Sequence, residues 1–245
     1  MTRKLNITAM IPAKLGSTRL PMKNLALLNG KPLIHYPIRA AKNSGAFNQI
    51  IINAEDAIFK KVADKYKVSF YKRPERLVKS TTKTDTVVYD FLKKNPCDIV
   101  AWVSPIAPFQ TGEELKRIVE FFIKKKLDSL MTVKDEQVHC VYKNRSVNFN
   151  IDEIFAQTQD ISPVGAFVYT TMMWRSRTFI KTFEKKGHAL LSGKVGYFPV
   201  VKLSSVIVKK KEDLMLADSI MKSIGKDYKI KYDSLTNKIR RGNKR

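Results

Sequence analysis

The feature that most constrains this chain is a repeating alternation of short, apolar, β-branched runs with longer amphipathic stretches. Asn6–Ile11, Gln49–Asn53, Val68–Lys72, Asp98–Val103 and Ser129–Val133 have the length and composition of strands. Between them, Pro32–Asn43, Ala57–Lys67, Thr84–Lys94 and Glu113–Lys125 read as helices. Strands alternating with helices predict an α/β fold, a Rossmann-like, mostly parallel sheet with helices on both faces. Pro32 suits a first helical position, where its missing N–H is no loss. Thr111 and Glu114 fit a T-x-x-E capping box, in which each side chain satisfies a backbone N–H at the helix start.

The alternation weakens over residues 134–162, which are polar, mixed and rich in Asn and Gln, and which read as a β-arm or excursion. It resumes with strand Ala166–Thr171, helix Arg177–Lys185, strands Val195–Val201 and Val206–Lys209, and helix Lys211–Ile224. The 245 residues fit one large α/β domain over 1–226, followed by a basic tail, 227–245, that ends KIRRGNKR. The tail reads as a solvated, flexible segment, with a nucleic-acid-binding tail as the alternative.

Composition narrows the function classes. At 44% apolar the chain can bury a core, which excludes wholesale disorder. No stretch reaches the roughly 18–20 apolar residues of a membrane span, and the short apolar run near the N-terminus is not a signal-peptide core. A cytoplasmic protein without membrane partners is the default. Cys97 and Cys140 form no CxxC pair and the three histidines no HxxxH pair, so neither a disulfide framework nor a zinc site is supported. The formal net charge of +24 attracts polyanions: nucleic acid, anionic membrane or phosphorylated small molecules. A lysine-rich genome would produce the same excess with no partner at all, and no RRM, zinc-finger or helix-turn-helix pattern accompanies it.

One segment carries chemistry. The first strand runs directly into IPAKLGSTRLPMKN (11–24), a loop with one glycine, two hydroxyls and three cations, Lys14, Arg19 and Lys23. In open α/β sheets ligands sit beyond the carboxyl ends of the strands. A polyphosphate there needs backbone N–H groups and fixed positive charge. Gly16 would admit close backbone approach, and Ser17 and Thr18 can donate hydrogen bonds. The pattern is neither Walker A nor GxGxxG. A charged loop is most often only a solvated loop; its place after an apolar first strand, and before LNGKPLI (28–34), argues against that here.

The segment 11–34 resembles the signature of the CMP-sugar synthetases, cytidylyltransferases that activate sialic acid and related nonulosonic acids, or the eight-carbon acid Kdo. GSTRLP (16–21) is close to both branches, and the KN at 23–24 leans toward the nonulosonate branch. Weaker similarities follow in order: Arg73-Pro74 resembles the family's RP, SPIAPFQT (104–111) its QPTSPLRT, LDSLMTV (127–133) its DSVVSV strand, VGAFVY (164–169) its NGAIYI, and EDLMLA (212–217) its EDLxLA. The resemblance implies that CTP and an acidic sugar give CMP-sugar and pyrophosphate. It implies a nucleotide site over Ala13, Lys14, Leu15, Gly16, Ser17, Arg19, Lys23, Arg73 and Ser104. Lys14 would stand at the first phosphate-binding arginine, and Lys23 at the lysine that neutralises the leaving pyrophosphate. Gln110, Gln159 and Gly165 become candidates for the sugar side, and a homodimer through 134–162 is expected.

The chain also departs from the pattern. The family usually carries an Asp-x-Asp just before the EDL element, which holds Mg²⁺ on the triphosphate. Aligned on EDL, those positions are Ile207 and Lys209, and neither binds Mg²⁺. Mg²⁺ is thus implied while its usual ligands are missing, and Lys209 becomes a candidate catalytic cation. The family's glutamine is Ser104, its arginine Gln110 and its asparagine Val164; a common aspartate after RP falls near Ser80, with Asp85 a few residues on. Two alternatives to an active enzyme stay open: a degenerate relative that binds nucleotide or a partner without turnover, and a nucleic-acid-binding protein.

Overall fold

The computed structural model describes residues 4–227 and 229–234. Its strands are β1 (Ile7–Pro12), β2 (Leu27–Leu28), β3 (Lys31–Pro32), β4 (Gln49–Ala54), β5 (Ser69–Lys72), β6 (Ile99–Val103), β7 (Ser129–Glu136), β8 (Val141–Tyr142), β9 (Arg145–Ser146), β10 (Val164–Arg175) and β11 (Val195–Pro199). Its helices are α1 (His35–Ser44), α2 (Ile58–Tyr66), α3 (Thr84–Lys94), α4 (Gly112–Lys124), α5 (Ser176–Lys186) and α6 (Lys211–Ser223). Seven strands form one sheet in the order β11-β7-β10-β6-β1-β4-β5. β1 lies parallel to both β4 and β6, β4 to β5, and β7 to β11, whereas β10 runs antiparallel between β6 and β7. The expected Rossmann-like, mostly parallel α/β sheet is the observed one.

Side-chain alternation explains why helices cover both faces. Along β1, Ile7, Ala9 and Ile11 enter one apolar cluster with Ile38 of α1 and Leu115, Ile118 and Phe122 of α4. Met10 points the other way, into a second cluster with Val88 and Phe91 of α3 and Phe179 of α5. β6 divides identically, Ile99, Ala101 and Val103 against Val100. All six residues of β1 are buried, as expected for a central parallel strand that reads as an unbroken apolar run. A Cβ at Gly112 would lie 2.8 Å from the backbone of Asn43, so glycine is what lets α4 begin against the end of α1.

Several expectations change. Pro32 is not the first residue of a helix: it pairs with Leu27 in the β2–β3 hairpin, and α1 starts at His35. The capping box is half formed. Thr111 Oγ1 accepts from the Glu114 N–H at 3.1 Å, but the Glu114 carboxylate turns away and accepts from Val201 N–H at 2.9 Å. Val206–Lys209 is not a strand. Val208 is buried and donates to Ile106 O at 2.9 Å, and the Lys209 N–H goes to a carboxylate of α6, so this segment leaves the sheet to cap a helix. Within 134–162, β7 extends to Glu136 and a small β8–β9 hairpin follows. The tail 227–245 lies largely outside the described residues.

β10 is longer than predicted, Val164–Arg175 against Ala166–Thr171, and it is bulged. Its register against β7 jumps between Phe167 and Met172, and Tyr169 there has φ 52°. The Thr132 hydroxyl fills the gap, accepting from the N–H groups of Thr170 and Thr171, each at 3.1 Å, and donating to Thr171 O at 2.9 Å. The bulge therefore leaves no ladder group of Thr170 or Thr171 stranded.

Candidate functional site

The loop after β1 leaves the sheet at its carboxyl edge and is pinned from four sides. Ala13 N–H donates to Asn53 O at 3.0 Å, continuing the β1–β4 ladder by one bond. Leu15 N–H donates to Glu55 Oε1 at 2.8 Å, and Asn24 Nδ2 donates to Lys14 O at 3.1 Å. Arg73, at the end of β5, donates through Nη2 to Ala13 O at 2.6 Å and to Glu55 Oε2 at 3.0 Å. Beyond these anchors, no protein group among the described residues accepts from the backbone N–H groups of Gly16, Ser17, Thr18 or Arg19. A Cβ at Gly16 would meet nothing within 4 Å. A fixed turn with free N–H groups is an anion-binding concavity.

The loop forms one wall of a cleft of about 250 Å³. Ala13, Lys14, Ser17, Lys23, Arg73 and Ser104 line it, so six of the nine proposed nucleotide contacts converge. Leu15 instead packs against the core, and Gly16 and Arg19 stand on the exposed outer part of the loop. The stretch leading into α3 also lines it, through Leu77, Lys79, Ser80 and Thr82, together with Trp102 and Ile106. The volume is below the roughly 300–1,000 Å³ of a pocket that encloses a whole small-molecule ligand.

Two buried polar atoms at this cleft lack a protein partner: Arg73 Nε and Asn24 Oδ1. An unsatisfied buried donor and acceptor are costly, and both belong to residues that line the cleft. The electrostatics agree. Burial first, then the charges of Arg19 and Lys14, push the Lys23 ammonium below its ordinary pKa; Asp213 opposes the shift and Lys209 adds to it. Four cations thus share one field, and an anion relieves their repulsion. Lys209 joins them because Val208 is anchored to Ile106 O beneath the cleft. Its N–H and that of Lys210 donate to Asp213 Oδ2 at 2.7 and 3.0 Å, fixing the start of α6.

Arg73 is only 5% exposed and ion-paired to Glu55, so the structure makes it the anchor of the loop as well as a lining residue. The three sugar-side candidates are not brought to the cleft. Gln110 is buried, its amide donating to Thr170 Oγ1 at 3.1 Å and accepting from Thr171 Oγ1 at 2.7 Å, which makes it part of the β10 bulge network. Gln159 is exposed and contacts Gln157, and Gly165 lies at the start of β10 beside Val133. Asp85, the carboxylate nearest to the expected aspartate, is also engaged, accepting from Ala189 N–H at 2.6 Å and Leu190 N–H at 3.0 Å. Residues that the sequence reading passed over are Glu55, whose role appears only through its pairing, and Lys79, Thr82 and Trp102. Asn24 was within the motif but unassigned; its neighbour Lys23 was the available signal. Among the described residues no three His, Cys, Asp or Glu side chains gather as a metal site, and no helix is long and apolar enough to cross a membrane.

Comparison with known proteins places this architecture. The chain is similar to pseudaminic acid cytidylyltransferase of Campylobacter jejuni, 29% identical over 189 residues, covering 70% of this chain and 81% of that protein. It is 36% identical over 122 residues to CMP-N,N'-diacetyllegionaminic acid synthase of Legionella pneumophila, covering 47% of this chain and 53% of that one. With N-acylneuraminate cytidylyltransferase A of Danio rerio it shares 31% over 129 residues, 52% of this chain and only 30% of that longer protein. A solved CMP:2-keto-3-deoxy-manno-octonic acid synthetase, complexed with CTP, superposes with a TM-score of 0.67 at 12% identity, over 89% of this chain and 99% of that one, a likeness of fold. The family model described as cytidylyltransferase matches residues 8–186, which include every residue lining the cleft, and the chain belongs to that family.

Proposed function

We propose that this protein is a CMP-sugar synthetase, transferring CMP from CTP to an acidic sugar with release of pyrophosphate. The observation that carries the reading is the pinned loop after β1, where Lys14 and Lys23 line a cleft at the carboxyl edge of a mostly parallel sheet and the charges of Arg19 and Lys209 act on Lys23. The relatives named for acidic nonulosonic acids support the sugar class.

In this reading the base and ribose enter the cleft between Ala13 and the 77–84 stretch, beside Arg73 and Asn24. The triphosphate runs out over Gly16–Arg19, where backbone N–H groups are free. A sugar hydroxyl oxygen attacks the α-phosphorus, the bond from that phosphorus to the bridging oxygen breaks, and pyrophosphate leaves while the hydroxyl proton passes to solvent. Lys14 holds the phosphates in line, and Lys23 neutralises charge growing on the leaving group. The sugar approaches from the β10 side, near Gln159 and Gly165. A homodimer through 134–162 belongs to the same proposal.

The test is pyrophosphate release from CTP, with ATP and UTP as controls, in the presence of sialic, legionaminic, pseudaminic or Kdo-type acids. Release with CTP and one of these acids is the expected result; CTP binding without release with any of them would favour the second reading. That reading, a nucleotide-binding relative without turnover, is favoured by Ile207 and Lys209 standing where the family usually has aspartates.

A further inference from the structure

The family resemblance implies Mg²⁺ on the triphosphate, and the residues present do not fit it. A hard divalent cation needs oxygen ligands, with one or two carboxylates supplied by the protein. Ile207 has no ligand atom and Lys209 brings a positive charge. The carboxylates nearby are held by protein donors, Glu55 through both oxygens and Asp213 and Asp85 through one oxygen each. Asp213 Oδ2 takes the N–H groups of both Lys209 and Lys210, Glu55 takes Arg73 and Leu15, and Asp85 takes Ala189 and Leu190. A divalent ion entering beside Asp213 would also meet the ammonium groups of Lys23 and Lys209.

Charge arithmetic points the same way. Two aspartates with one Mg²⁺ sum to about zero, while Ile207 with Lys209 sums to about +1, so the site keeps its capacity to neutralise phosphate. Position and burial make Lys209 suited to the task. Val208 is fully buried and tied to Ile106, a cleft residue, which fixes the backbone while Lys209 itself stays exposed. An ammonium on a flexible stem can reach phosphate oxygens as a point charge, with no demand for octahedral geometry.

We infer that this chain holds the triphosphate with its own cations, Lys14, Arg19, Lys23 and Lys209, Lys209 replacing a protein-held divalent metal. The inference rests on the nucleotide-binding reading above and deepens it. Calorimetric titration of the full chain with CTP, once in EDTA and once in Mg²⁺, tests it. Affinities within about threefold of each other are expected. Lys209→Ala lowers the affinity in EDTA by about tenfold, without unfolding, because only its backbone N–H contacts Asp213. Ile207→Asp combined with Lys209→Asp makes CTP binding depend on Mg²⁺. CTP binding that requires Mg²⁺ in the unaltered protein, or a Lys209→Ala variant that binds CTP unchanged in EDTA, overturns the inference and leaves the nucleotide-binding reading standing. No binding of CTP under either condition overturns both.

Discussion

Glu55→Ala is the substitution whose outcome says most about how the site is built. Glu55 bridges the loop after β1 and the end of β5: one oxygen takes Leu15 N–H at 2.8 Å and the other the Arg73 guanidinium at 3.0 Å. The Arg73 and Glu55 side chains are only 6% and 13% exposed, so removing the carboxylate leaves a buried guanidinium uncompensated. Losing one partner of a buried pair costs about 3–5 kcal/mol. At roughly 2–4 °C per kcal/mol for a domain of this size, the melting temperature falls by roughly 6–20 °C. Replacing both members, Glu55→Met with Arg73→Met, removes the orphaned charge together with its cause. It costs only about 1–2 kcal/mol, mostly for the stranded Ala13 O and Leu15 N–H. Urea denaturation of the two single variants and the double variant measures this coupling. CTP affinity falls in all three, because the main chain of Ala13–Leu15 is no longer held. A Glu55→Ala loss below about 1 kcal/mol would refute the reasoning, since Arg73 would then have found water and the pair would not be what fixes the loop.

Three further outcomes follow from the same geometry. Lys23→Met abolishes measurable CTP binding in calorimetry yet raises the stability of the ligand-free protein, because it removes a charge that burial and its neighbours disfavour. The Lys23 pKa is lower in the folded chain than in the unfolded one, so the penalty is full at neutral pH and is relieved as pH climbs from the folded value toward the ordinary lysine value; Lys23→Met flattens that rise in stability on the alkaline side. Thr111→Ala loses the bond to Glu114 N–H and costs about 1 kcal/mol, read as a drop in melting temperature of roughly 2–4 °C. If 134–162 makes the dimer, changing Ile151, Ile154 and Phe155 together to serine yields a monomer by analytical ultracentrifugation; Ile154 is 96% exposed and the other two are exposed as well.

Much of this architecture was legible in the sequence because it is written in local periodicity. β1, β4, β6 and β7 are short apolar runs, and α3 was located at Thr84–Lys94 by composition and spacing alone. The loop at 11–24 stood out for the same reason, since its glycine, hydroxyls and cations follow directly on a strand. Local reading misled where a residue's partner lies far along the chain. Val206–Lys209 looks like a strand, but its hydrogen bonds go to Ile106 and Asp213 instead of to a sheet neighbour. Glu114 has the right spacing for a capping box, yet Val201, 87 residues on, takes its carboxylate. Gln110 looked available for a sugar until Thr170 and Thr171, about sixty residues away, filled its amide.

By itself, then, the sequence determined the alternation of the main strands and helices and the position of the cation-bearing loop after β1, because periodicity and turn chemistry are properties of neighbouring residues. Only the tertiary structure decided that β10 enters the sheet antiparallel with a bulge sealed by Thr132, that Glu55 and Arg73 brace the loop, and that Lys209 shares a field with Lys14, Arg19 and Lys23. The physical reason is that burial and charge act through space: a carboxylate or an ammonium takes its role from whatever the closed chain brings within a few ångströms of it.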